Sequence, residues 1–179
     1  MPPSVVDLNP VSRMTAGAVG EPGQRVFYLQ ARQGSQLVTL ICEKAQLQSL
    51  AVAVEQFLAE LQGRFPQLTD ASAEFHEAEM GLEQPIDPLF RIGQIGLGYN
   101  DESDQLVLET RELLAESPET EEGGEEGSVV RFWCSRAQLR GLARWGLELA
   151  HRGRPICGNC GEPIDPSGHF CPKRNGHKH

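Results

Sequence analysis

The chain has 179 residues, 39% of them hydrophobic and 23% charged, with a net charge of −9; that composition belongs to a globular protein and excludes a disordered or collagen-like one. No run approaches the roughly 18 apolar residues of a membrane span, and MPPSVVDLNPVSRMTAG at the start has neither the basic and apolar regions of a secretion signal nor a lipidation motif. Five cysteines, three of them clustered near the end, suit a metal site in a reducing compartment better than a disulfide framework, so a cytoplasmic location is expected.

Charge is unevenly spread. Residues 127–179 carry nine Lys/Arg against three acids, a net of +6, which leaves −15 for residues 1–126. The C-terminal third is basic and the rest is acidic.

In chain order, VSRMTAGAV from Val11, RVFYLQA from Arg25 and QLVTLIC from Gln36 read as strands, the last two joined by the hairpin signal RQGS. A helix follows, with Leu47, Leu50, Ala51, Val54, Leu58 and Leu61 on one face, ended by Gly63 and Pro66. Residues 64–88 read as a linker, with a short helix around Ala71 to Met80. RIGQIGLGY from Arg91, QLVLETREL from Gln105 and VVRFWC from Val129 are three more strands, the last two separated by the acidic loop ETEEGGEEG. Ser135 and Gln138 form a capping box that opens a second helix, whose apolar face is Leu139, Leu142, Ala143, Leu147 and Ala150.

The two halves match one another. CEKAQLQSLA from Cys42 aligns with CSRAQLRGLA from Cys134 at an offset of 92 residues, each after a β-rich run and before an amphipathic segment. The pattern predicts an α+β fold: a duplicated β-β-β-α unit with antiparallel sheet(s) and two packed helices. The main domain is expected over residues 1–154, with repeat one at about 11–63 and repeat two at about 89–151, and a small zinc-ribbon-like module over 155–179. Cys42 and Cys134, equivalent in the two copies, read as small core residues.

The tail CGNCGEPIDPSGHFCPKRNGHKH carries the clearest chemistry. Cys157-x-x-Cys160 places two thiolates on one tight turn, Cys171 opens another, and His177 completes the tetrahedron that zinc prefers. His169, two residues before Cys171, reads as an outer or exposed group, and His179 as an alternative at the chain end. The segment has so few apolar residues that metal binding would be its folding energy, a structural role. A redox Cys-x-x-Cys should open a helix, whereas this one follows a helix amid Gly and Pro.

Arg136, Arg140 and Arg144 recur every four residues on the second helix, and Arg152, Arg154, Lys173 and Arg174 continue towards the tail. The stripe is expected on the solvent side. It reads either as an anion-binding face for nucleic acid or an acidic protein, or as a helix face neutralised by the acidic remainder of the chain. Trp133 and Trp145 read as packing residues. GQIGLGY lacks the spacing of a nucleotide loop, and His76 sits among Glu74, Glu77 and Glu79 as a surface group.

RVFYLQARQG, the twice-used C-x-x-AQLxxLA, PLFRIGQIGLGY, VVRFWCSRAQL and CGNCGEPIDPSGHFCPKRNGH together resemble an uncharacterised bacterial family, chiefly actinobacterial, of repeat-containing proteins of unknown function. The resemblance spans nearly the whole chain and implies a soluble, cytoplasmic protein with the same cysteine-rich end. The resulting expectation is a non-enzymatic, zinc-stabilised binding or regulatory protein, its macromolecular partner a protein or a nucleic acid met through the basic face. An enzyme or enzyme subunit with a pocket between the repeats is the alternative, and an assembly protein is a third reading. No membrane partner is expected.

Overall fold

The computed structural model describes residues 2–115, 126–165 and 167–173. Its elements are β1 (Val5–Leu8), β2 (Arg13–Val19), β3 (Val26–Gln33), β4 (Gln36–Cys42), α1 (Lys44–Arg64), β5 (Pro88–Asn100), β6 (Gln105–Glu112), β7 (Val129–Cys134) and α2 (Arg136–His151). Seven strands form one sheet in the order β1-β7-β6-β5-β4-β3-β2. It is a mixed sheet rather than the antiparallel one expected, because β4 pairs with β5 and β7 with β1 in parallel. Parallel neighbours need a long crossover, and α1 with residues 65–87 supplies the one between β4 and β5.

The sheet's two edges are consecutive in the chain. Laid flat, seven strands would hold β1 and β2 about 29 Å apart, yet the four residues between them reach at most about 17 Å. The sheet must therefore curl. Val11 N–H donates to Trp133 O on β7 at 2.8 Å and Ser12 N–H to Arg32 O on β3 at 2.8 Å, so segment 5–19 runs along β7 first and β3 afterwards. The long β5 behaves in the same manner, meeting β4 through Pro88 and Arg91 and β6 through Ile92–Asn100.

Alternating positions of the strands fill one core. Leu29, Leu40, Leu106, Leu108 and Phe132 from the sheet meet Leu47, Val54 and Leu61 of α1 and Leu139 and Leu142 of α2. The helices pack on each other closely enough that a Cβ on Gly146 would sit 3.4 Å from Leu47 Cδ2. The capping box forms as its sequence requires: Gln138 N–H donates to Ser135 Oγ at 3.0 Å and Ser135 N–H to Gln138 Oε1 at 2.9 Å. Cys42 and Cys134 are buried, and burial pushes both thiols up to about 12. Trp145 is buried with its indole N–H on Ala16 O, while the Trp133 indole N–H donates to Asp7 at the edge of the sheet. Among the described residues no helix is long and apolar enough to cross a membrane.

The linker differs from its expected form. Residues 65–87 hold a turn at Phe65–Leu68 and a 3-10 turn at Glu77–Glu79 but no α-helix, and form a strap that crosses α2 and reaches Thr15 of β2 and Gln30 of β3. Its backbone polar groups are met from outside instead of by a helix: Arg136 donates to Thr69 O, Arg140 to Ala71 O, Arg13 to Glu79 O and Gly81 O, and Thr15 Oγ1 to Met80 O.

Candidate metal centre and the charged strap

After α2 the chain makes a tight knuckle. Cys157 N–H donates to Glu162 O at 2.8 Å and Gly161 N–H to Cys157 O at 2.9 Å, with Gly161 at φ +78°, where a side chain would be strained. A second reversal, closed by Gly168 N–H on Asp165 O at 2.9 Å and with Gly168 at φ +104°, turns the chain back towards the first. These two turns bring Cys157, Cys160, His169 and Cys171 together, one ligand atom from each within 4.8 Å of the others.

Cys157 Sγ lies 3.8 Å from Cys171 Sγ, and Cys160 Sγ lies 3.1 Å from His169 Nε2. A disulfide needs about 2.05 Å, and all five cysteines are free. Thiolates about 2.3 Å from the centre of a tetrahedron stand about 3.8 Å apart, so the cluster has the dimensions of a metal-binding set. The backbone N–H groups of Cys160 and Asn159 hold the Cys157 thiol down at about 6, favouring the thiolate that a metal requires. At Cys160 the N–H of Glu162 pulls the same way, but burial and the neighbouring thiols of Cys157 and Cys171 outweigh it and the thiol is raised.

Three of the ligands expected from the sequence, Cys157, Cys160 and Cys171, are thus brought together. His177 and His179 lie outside the described residues, and the histidine found in the cluster is His169. The residue that signals it is Gly168, whose left-handed conformation aims the following residue back at the knuckle. Arg154 Nη1 on Asp165 Oδ1, at 2.7 Å, ties the second reversal to the segment that follows α2.

The basic stripe is largely spoken for inside the molecule. Arg140 pairs with Glu55 and Asp70, Arg136 with Asp104, and Arg152 with Glu77 and Glu148. Side-chain exposure is 14% for Arg136 and 19% for Arg140, against the open face expected, because Asp104, Glu55 and the strap residues Thr69, Asp70 and Ala71 close over them. Arg144 and Lys173 are exposed. Arg174 and most of the ETEEGGEEG loop lie outside the described residues.

The strap's far end docks through residues that the sequence did not single out. Arg13 and Arg32 both donate to the Glu83 carboxylate, and Gln30, fully buried, donates to Glu83 O at 3.0 Å while its Oε1 accepts from Glu83 N–H at 2.8 Å. Arg32, and with it Arg13, holds the Glu83 carboxyl below the usual carboxylate range. Between strap, β2 and α2 lies a cleft of about 620 Å³ that His76, Glu79 and Gln138 help to line.

A curled mixed sheet covered by two helices makes this an α+β protein, and its C-terminal end gathers three cysteines and a histidine closely enough to hold a metal ion. The chain belongs to the family described as "Protein of unknown function (DUF3090)", whose model matches residues 6–171. No curated protein and no solved structure matches it.

Proposed function

We propose that this is a non-enzymatic binding protein whose tail is held by a structural zinc ion. The observation that carries the reading is the closed donor set of Cys157, Cys160, His169 and Cys171. Three thiolates and an imidazole are the ligands zinc prefers, and four protein ligands leave no open position for a substrate or a water nucleophile. The metal would supply folding energy to a segment with few apolar residues, of which Ile156 and Phe170 are exposed. Free cysteines throughout suit a reducing, cytoplasmic setting.

The body reads as a duplication, on the support of the strand registers. Thr39 of β4 stands opposite Pro88, and Arg131 of β7, 92 residues later, stands opposite Asp7. Segment 5–19 then plays for the second copy the part that β5 plays for the first. A protein is the partner favoured over a nucleic acid, because the arginines that would meet phosphates are engaged with Glu55, Asp70, Glu77 and Asp104.

Metal analysis of the freshly purified native protein tests the zinc site. One zinc per chain is expected, with a tetrahedral thiolate spectrum after cobalt exchange. Cys157→Ser and His169→Ala should each lower retention at least tenfold against a chelator, while His177→Ala should not. A zinc content near zero, or loss on His177→Ala alone, would overturn the assignment.

A further inference from the structure

The registers that relate the two halves also relate two grooves. Asp7 corresponds to Pro88, and Ala18, opposite Phe27, corresponds to Tyr99, opposite Leu106; both place segment 5–19 on β5 at an offset of 81 residues. Cys42 and Cys134 place α1 on α2 at an offset of 92.

The groove between α2 and β2 has an occupant within the chain. Its wall includes Ala137, Gly141, Leu142 and Met14, and the strap lies in it. Glu74 O is so close that a Cβ on Gly141 would stand 3.3 Å from it, and the Phe75 ring meets the Trp145 ring edge-on at 5.5 Å. The strap's acids are tethered on either side, Asp70 by Arg140, Glu77 by Arg152 and Glu83 by Arg13.

The corresponding groove between α1 and β5, about 300 Å³, is lined by Ala45, Ser49, Leu50, Ala53, Ile95 and Leu97, and no described segment lies across it. Ala53, exposed, stands where the other half has Trp145, whose buried indole donates to Ala16 O and carries Phe75, so only a methyl group occupies that position here. The tethering cations are also replaced: Gln48 stands for Arg140, Glu60 for Arg152 and Gln94 for Arg13. Val52, 59% exposed, takes the place of Arg144 on the rim. A groove of that chemistry has nothing to hold an acidic strap and a floor suited to an aromatic ring.

We propose that the α1/β5 groove docks an extended, uncharged segment of a partner protein, whose aromatic side chain seats over Ala53 in the place that the Trp145 indole takes in the other half. The inference rests on the binding-protein reading and names its partner class. Its test leaves the metal site untouched, so failure here and failure of zinc binding are separate results.

The probe is a displayed library of random 12-residue peptides, selected on the full-length protein. Enrichment of uncharged peptides with one aromatic residue is expected. The enriched peptide should bind Ala53→Trp, which installs the indole of the other groove, at least tenfold more weakly, and Val52→Glu likewise, with the circular dichroism of both variants unchanged. Enrichment of acidic peptides, equal binding to both variants, or no enrichment would overturn the proposal. So would a native dimer that Ala53→Trp dissociates, since a second copy would then be the occupant.

Discussion

Gly17 has no room for a side chain: a Cβ there would lie 2.5 Å from Leu82 Cδ1, a distance at which something must move. The glycine lets the strap press on β2. Gly17→Ala is expected to cost about 1–3 kcal/mol, the usual range for overpacking, and Leu82→Ala in the same chain should recover most of it. Urea denaturation of the two single variants and the double variant measures the coupling; additive effects would show that the strap is not seated on Gly17. Neither residue was marked by the sequence, because the contact joins positions 65 residues apart without any periodic signal. The three cysteines of the cluster are legible for the opposite reason. Cys-x-x-Cys is a local turn, and its spacing implies its geometry. Spacing alone makes His169 an outer group, because it says nothing of the reversal at Gly168, φ +104°, after which His169 stands beside Cys160.

Strands and helices of repeating pattern were readable almost to the residue, Ser135 with Gln138 fixing the start of α2 and Gly63 with Pro66 the end of α1. The strap is not, since its order comes from arginines distant in sequence rather than from its own propensity, and four-residue β1 carries no local signal because its partner β7 lies more than 120 residues away. The strap's docking should depend on pH through Glu83. Arg32 and Arg13 depress its folded value below that of the unfolded chain, so the stabilisation is complete above the ordinary glutamate value near 4.5 and is lost as pH falls through the lower folded value. Glu83→Gln should therefore be less stable than the native protein at pH 7 by about 1 kcal/mol, in the range of partly exposed pairs, and the gap should close as pH falls through the folded value of Glu83. Denaturant midpoints measured from neutral to acid pH check this; a constant gap would mean that the carboxylate charge is not what holds the strap.

At the scale of the whole molecule, the opposite charges of the two parts of the sequence meet within one chain, Glu55, Asp70, Glu77 and Asp104 on the arginines of α2, and the curled sheet is closed by its own first strand. That closure makes β1 more than an ornament. Leu8 is fully buried in the core, Val129 N–H donates to Ser4 O at 2.8 Å, and β1 covers the outer edge of β7 in parallel register from Val5 to Leu8. Leu8→Ala should cost about 2–5 kcal/mol, as truncations that leave a cavity do. Removing residues 1–9 should do more than weaken the fold, because it would leave β7 with a row of unpaired amides and carbonyls beside a hole in the core. Such an edge pairs with another chain unless it is blocked. The shortened protein is expected to melt at a lower temperature and to elute from size exclusion as dimers or larger species in a concentration-dependent way, whereas Leu8→Ala, which keeps the β1 backbone in place, should lose stability without changing its elution. If the shortened protein kept both its melting temperature and its elution volume, segment 5–19 would not be what closes the sheet.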